Sequence, residues 1–142
     1  SHLESTSRDT WDIIEKAAHT AYRRCFPVRK QESDLDFPLP DGTTDEEYLS
    51  TISVALQRSF ELARPDLLMS RAGVDILATD TLGSLAVTPS GVAERDRLVF
   101  ETAKSNGVPI VFTLGGGYGK PLETTVEAHL GTFRIARESL EH

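Results

Sequence analysis

The chain has 142 residues, of which 39% are hydrophobic and 26% charged, a balance typical of one globular domain and not of a disordered segment. Its 22 acidic and 15 basic residues give a net charge of -7, which disfavours nonspecific nucleic-acid binding because such binding needs a basic surface. No apolar run is long enough to span a membrane, and the single cysteine excludes an internal disulfide and a paired-cysteine zinc motif. We therefore expect a cytoplasmic protein that binds neither nucleic acid nor membrane.

The first 44 residues predict one helix followed by an irregular stretch. Apolar residues such as Trp11 and Ile14 recur at helical spacing over residues 7–24, which predicts an amphipathic helix. Prolines then exclude a helix between residues 25 and 44, where Asp41-Gly42 predicts a turn. The alternating apolar residues of this stretch predict a short strand: Leu35, Phe37 and Leu39.

A second helix is predicted over residues 45–63. Thr44 and Glu47 have capping-box spacing, in which both side chains accept hydrogen bonds from free backbone N–H groups. The helix is expected to end before Arg64-Pro65-Asp66. A short buried strand, Leu67-Leu68-Met69, should follow.

The next segment, residues 72–88, is longer than the usual strand-to-helix connection of about 2–6 residues. Such loops are usually functional or disordered, and the many apolar residues here favour order. These are Val74, Ile76, Leu77, Leu82, Leu85 and Val87. Thr88 as cap and Pro89 at the first position then predict a third helix, which should end at Asn106-Gly107.

Residues 109–114 form the clearest strand, apolar without alternation, as expected of a strand covered on both faces. Pro121 begins a last helix, with core residues predicted at Val126, Leu130, Phe133 and Ile135. Strand, helix, strand and helix in this order predict an α/β fold, with a parallel sheet flanked by helices.

Two loops follow the carboxyl ends of the predicted strands, where open parallel sheets bind ligands. Asp75 and Tyr118 should therefore lie on the same edge of the sheet. From the residues alone, Asp75 could be a metal ligand, a general base or a turn-capping residue, and the turn role is favoured. The turn role is favoured for Asp80 as well.

The glycine run Gly115-Gly116-Gly117 precedes Tyr118 and predicts a tight turn, not a phosphate cradle. A P-loop would need glycine at Leu114 and serine or threonine at Pro121, and a dinucleotide motif would need glycine at Lys120. The turn would project the tyrosine, whose hydroxyl could donate to a developing oxyanion. The alternative is a turn with a packed tyrosine.

Several ordered motifs resemble the histone deacetylase superfamily, including its acetoin-utilisation and acetylpolyamine branches. The matching motifs include Ala72-Gly73-Val74-Asp75, Asp80-Thr81-Leu82-Gly83, Arg95-Asp96 and Gly115-Gly116-Gly117-Tyr118. Phe26-Pro27 and Asp45-Glu46-Glu47-Tyr48-Leu49 match upstream. The resemblance divides the chain into an N-terminal segment unlike the family, residues 1–25, and a deacetylase-like part, residues 26–140. It implies the C-terminal half of the arginase/deacetylase fold.

The resemblance also implies a site. In this family zinc polarises the acetyl carbonyl and activates a water molecule, and a tyrosine hydroxyl donates to the oxyanion. Asp75 matches one zinc-binding aspartate and Tyr118 matches that tyrosine. The supporting loop residues are Gly73, Asp80, Gly115, Gly116 and Gly117.

The family's Asp-x-His and His-His motifs do not occur in these 142 residues. His19 and His129 lie on predicted helices and are interpreted as packed or surface residues. Zinc is therefore expected for the family but doubtful for this chain, because catalytic zinc takes three protein ligands.

The main hypothesis is a truncated deacetylase-like chain that is inactive alone. The alternatives are half of a split deacetylase completed by another chain, and a non-catalytic interaction module. Either a homo-oligomer or a completing partner chain is expected, because a short parallel sheet leaves open edges and apolar faces.

Overall fold

A computed structural model describes residues 34–141, with five regular elements in an α/β arrangement. In chain order these are α1 (Asp45–Ala63), β1 (Leu68–Gly73), α2 (Pro89–Ser105), β2 (Ile110–Gly115) and α3 (Leu122–Leu140). The strands pair in parallel, from Leu68 opposite Ile110 to Gly73 opposite Gly115, with α2 between them in the chain. The predicted fold class is confirmed. The helix predicted over residues 7–24 lies outside the described residues.

The helix ends follow the predicted signals, except for the cap of α1. The Thr88 hydroxyl accepts from the Gly91 N–H at 3.1 Å, as its position before Pro89 predicts. Thr44 makes no side-chain capping bond, so the predicted capping box is wrong. The next residue, Asp45, instead accepts from the backbone N–H and the hydroxyl of Thr88, at 2.7 and 2.6 Å. The acidic first turn of α1 thus ties the start of that helix to the start of α2.

The long connection between β1 and α2 forms much of the main core. Its apolar side chains pack with Tyr48 of α1 and Val92 of α2, which explains why so long a loop is ordered. The buried members are Val74, Ile76, Leu77, Leu85 and Val87. Leu82 is an exception, since it is 64% exposed and not in the core.

The two strands are covered by helices on one face only. Leu68 packs with α1 and α2, and the Phe112 ring contacts rings of both Phe100 and Phe133. The expectation that residues 109–114 are covered on both faces is wrong within the described region, since Val111, on the strand face opposite Phe112, is 43% exposed. Two strands offer too little sheet for elements on both sides.

The predicted core of the last helix is also only partly realised. Ile135 is buried, whereas three other predicted core residues are about half exposed: Val126, Leu130 and Phe133. The alternation of residues 35–39 does not produce a strand, although Leu39 joins the core. None of the helices between residues 34 and 141 combines the length and apolarity needed to cross a membrane.

Candidate functional site

The loops that follow β1 and β2 meet at one edge of the sheet, as chain direction predicts. The Val74 N–H donates to the Gly115 carbonyl at 3.2 Å. The Asp75 side chain lies against Gly116, so that a β-carbon built on this glycine would lie 2.5 Å from the Asp75 carboxyl carbon. Gly116 also has a φ of 63°, a conformation that side chains disfavour. The Asp75 carboxyl is therefore packed on backbone two residues before Tyr118.

The Asp75 carboxyl is partly buried, and its electrostatics follow from that position. Desolvation raises its pKa above the ordinary value, and nearby Asp80 adds to this effect. A hydrogen bond from its own backbone and the charges of Arg95 and Arg71 act in the opposite direction but are outweighed. The site therefore holds a carboxylate whose charge is only partly compensated.

Asp80 has the predicted turn role and also holds the tyrosine backbone. One carboxylate oxygen accepts from the Leu82 and Gly83 N–H groups at 2.8 and 2.7 Å. The other accepts from the Tyr118 N–H at 2.6 Å. On the next residue, the Thr81 hydroxyl donates to the Tyr118 carbonyl at 2.8 Å. Both backbone polar groups of the tyrosine are thus held by the neighbouring loop.

The Tyr118 side chain is 62% exposed, so the packed-tyrosine alternative is not observed. Its phenol extends from a turn whose backbone is fixed at both its N–H and its carbonyl. Such an arrangement can donate a hydrogen bond to an anionic oxygen approaching the edge of the sheet.

A buried ion pair between Arg95 and Asp96 of α2 is bonded to the end of β1. The Arg95 guanidinium donates to the Gly73 carbonyl at 2.5 Å and to the Asp96 carboxylate at 2.9 Å. The second carboxylate oxygen of Asp96 accepts from the Thr132 hydroxyl of α3 at 2.6 Å. Burial raises the pKa of the nearby Tyr48 phenol, and the charge of Arg95 acts in the opposite direction. The network thus fixes the end of β1, two residues before Asp75, to α2 and α3.

The sequence analysis missed this supporting role, although a signal was present. Arg95 and Asp96 stand between Val92 and Val99 at helical spacing, on the stripe that amphipathic periodicity predicts to be buried. Adjacent opposite charges on a buried stripe indicate an internal ion pair, since unpaired buried charges are too costly.

Helix α3 contacts the glycine run through Thr125 and His129. The Gly119 N–H donates to the Thr125 hydroxyl at 3.2 Å. His129 Nε2 lies 3.4 Å from the Gly116 carbonyl oxygen. His129, interpreted as a packed or surface residue, is half-buried, and its place beside the glycine turn was not foreseen.

The described residues do not fit a zinc site by themselves. Between residues 34 and 141 there is no group of three or more His, Cys, Asp or Glu side chains that could hold a metal ion. Both carboxylate oxygens of Asp80 already accept backbone hydrogen bonds. Asp75 is thus a single candidate ligand, and three are ordinarily needed.

Comparison with known proteins shows which proteins this chain is similar to. The profile of the histone deacetylase domain matches residues 16–133. An uncharacterised protein of Picosynechococcus is 41% identical over 113 residues, which are 80% of this chain and 38% of that protein. Histone deacetylase 2 of Arabidopsis thaliana is 40% identical over 87 residues, 61% of this chain and 22% of the relative.

A solved structure is also similar. The acetylpolyamine aminohydrolase of Burkholderia pseudomallei has a TM-score of 0.57 at 26% identity, covering 70% of this chain and 28% of that enzyme. The chain therefore spans less than two-fifths of each of these relatives. Because the domain profile matches most of the sequence, the chain belongs to the histone deacetylase family.

Proposed function

We propose that this chain contributes one half of a deacetylase active site and does not catalyse deacetylation alone. Asp75 would be one metal ligand and Tyr118 the oxyanion donor. The observation that carries the proposal is the contact of the Asp75 carboxyl with Gly116, two residues before Tyr118, at one braced sheet edge. The substrate class would be an acetyl amide of lysine or of a polyamine.

Tyr118 supports the proposal through its exposed phenol and held backbone. When water attacks an amide carbonyl, negative charge develops on the carbonyl oxygen, and a hydrogen-bond donor placed there stabilises it. The described residues offer no Asp-x-His or His-His pair to complete the metal site or to move the water proton. Those groups would have to come from residues other than these 142.

A second feature supports a completing polypeptide. Three apolar side chains at helical spacing on α3 are about half exposed, and we call them the outer apolar face: Val126, Leu130 and Phe133. Each strand also has one edge without a partner strand among residues 34–141. Copies of this chain could cover that face in a homo-oligomer but could not supply the motifs that the sequence lacks.

The test is hydrolysis of acetyl-lysine peptides and acetylpolyamines by the chain alone and with a complementary fragment. The fragment would be the part of the Picosynechococcus protein that lies outside the match. We expect no turnover by the chain alone, and turnover by the mixture that Tyr118→Phe lowers by about 10²–10³-fold. Turnover by the isolated chain, or a mixture that associates without any turnover, would contradict the proposal.

The second candidate is a non-catalytic interaction module, which the outer apolar face favours. In that case the same face would bind a partner with no deacetylation in any combination. Either function would operate in the cytoplasm, the compartment that the lone cysteine favours.

A further inference from the structure

The glycine turn packs against side chains of α3 and of the loop that follows β1. Gly117 has a φ of 104°, and a β-carbon there would lie 2.6 Å from Thr125 Cγ2 and 2.8 Å from Val74 Cγ2. The same position would lie 3.5 Å from His129 Nε2. The backbone of the turn is therefore in contact with helix α3 and with the residue that precedes Asp75.

His129 adds a polar contact to this support. Its Nε2 lies 3.4 Å from the Gly116 carbonyl oxygen, at the long end for such a bond. Because a carbonyl only accepts, the contact is favourable only when Nε2 carries the proton. The other ring nitrogen, Nδ1, is buried and has no hydrogen-bond partner within residues 34–141. An unprotonated Nδ1 leaves a lone pair unsatisfied, whereas a proton there would also leave Nε2 facing an oxygen with its own lone pair.

The turn needs support of this kind. Two consecutive glycines with positive φ have the greatest conformational freedom of any residues, and Tyr118 follows them directly. Asp75 occupies one side of Gly116, and the His129 ring lies near the carbonyl of the same residue. Asp80 holds the backbone only from Tyr118 onward.

We propose that His129 is a positioning residue, which as the Nε2–H tautomer holds the Gly116–Gly117 turn and thereby fixes where Tyr118 projects. The effect on the turn follows from the contacts alone. Its consequence for catalysis rests on the proposed function of Tyr118.

The first test is the tautomer, measured by ¹⁵N NMR of the imidazole nitrogens in the full chain. The His129 signals are assigned by their loss in His129→Gln. In mildly alkaline solution, where an ordinary imidazole is neutral, we expect the proton on Nε2. A proton on Nδ1, or rapid exchange between the two tautomers, would overturn the proposal.

The second test compares substitutions that keep or remove the donor. His129→Leu should shift the Gly116 carbonyl signal and the amide signals of Gly117 and Tyr118. His129→Gln, whose amide can donate from a similar position, should restore part of the difference. The control, Leu130→Gln, changes the neighbouring exposed residue of α3 and should leave these signals unchanged. Signals that do not move in His129→Leu, or that move equally in the control, would refute the role.

A third readout separates this proposal from the proposed function. In an active mixture with the complementary fragment, His129→Leu should lower kcat by roughly ten- to a hundredfold and leave KM unchanged. An equal rise in KM would contradict a positioning role. If no mixture is active, the proposed function fails, while the tautomer and the backbone signals still decide the role of His129.

Discussion

The carboxyl edge of the sheet and the outer apolar face differ in how well their residues are packed and hydrogen-bonded within residues 34–141. At the edge, the buried Arg95–Asp96 pair holds the end of β1, and Asp80 and Thr81 hold the Tyr118 backbone. On the outer apolar face, Leu130 and its neighbours are about half exposed. Residues 34–141 thus organise the candidate functional residues without covering the outer apolar face.

This difference has a physical meaning. Buried polar networks stabilise a fold only when their members are satisfied, so the edge depends strongly on single side chains. An exposed apolar side chain contributes little to folding and gains free energy when another surface covers it. Substitutions at the edge should therefore change stability, and substitutions on the outer apolar face should change association.

The largest expected effect is at the buried ion pair. Arg95→Met leaves the Asp96 carboxylate buried without its partner and should lower the free energy of unfolding by about 3–5 kcal/mol. The matched control is Arg97→Met, whose ion pair with Glu94 is about half exposed and should cost about 0–1 kcal/mol. Urea unfolding measures both. Equal losses would show that the edge does not depend on the buried pair.

A smaller loss is expected at the contact between the two loops. In Gly107→Ala the new β-carbon has no atom within 4 Å. The substitution should lower the free energy of unfolding by about 1–2 kcal/mol because of the left-handed backbone alone. Gly116→Ala has a similar φ but forces the new β-carbon against Asp75, which should add about 1–3 kcal/mol.

The same two substitutions in an Asp75→Gly background isolate the contact. The excess cost of Gly116→Ala over Gly107→Ala should shrink there, because the clashing carboxyl is gone. An excess that is unchanged would place the strain elsewhere.

The third prediction concerns the charge of Asp75. Because burial raises its pKa in the folded state, the folded protein binds more protons than the unfolded chain as the carboxyl titrates. Its contribution to stability therefore falls as pH rises from the ordinary aspartate pKa through the raised one. Asp75→Asn should raise Tm at neutral pH, and by less in acid. Thermal unfolding across pH tests this, and a Tm difference that grows toward low pH would have the wrong sign.

The smallest change in stability is expected on the outer apolar face. Leu130→Lys should change Tm little because the side chain is 45% exposed, yet it should weaken self-association or fragment binding. Ile135→Lys, on the same helix but 5% exposed, should unfold the chain. Sedimentation velocity measures the association, and unchanged sedimentation at Leu130 with a marked loss of Tm would reverse the assignment.

The sequence predicted α1 and α2 because apolar periodicity is a local signal, and it predicted the meeting of Asp75 with the Tyr118 turn because parallel strands bring the loops that follow them to one edge. It did not predict which apolar residues are buried on β2 and α3. Burial there depends on which elements pack against each side of α3, and periodicity does not show that, so Leu130 and Ile135 both fit the apolar pattern but are 45% and 5% exposed. The place of His129 was also missed, since helical periodicity does not show which loop a side chain will meet.

The capping of α1 shows another limit. Thr44 and Glu47 have the right spacing, yet Asp45 bonds to Thr88 and links the two helix starts. A hydrogen bond to a residue distant in sequence is thus present where the sequence predicted a local capping bond.

The most direct measurement is zinc content per chain, on protein purified without affinity metal and then exposed to zinc, beside Asp75→Ala. A half-site with one candidate ligand should hold no stoichiometric zinc in either protein, and should gain zinc only with a fragment that carries the missing motifs. Close to one zinc per isolated chain, lost in Asp75→Ala, would contradict the account, because it would mean that this chain assembles a metal site alone.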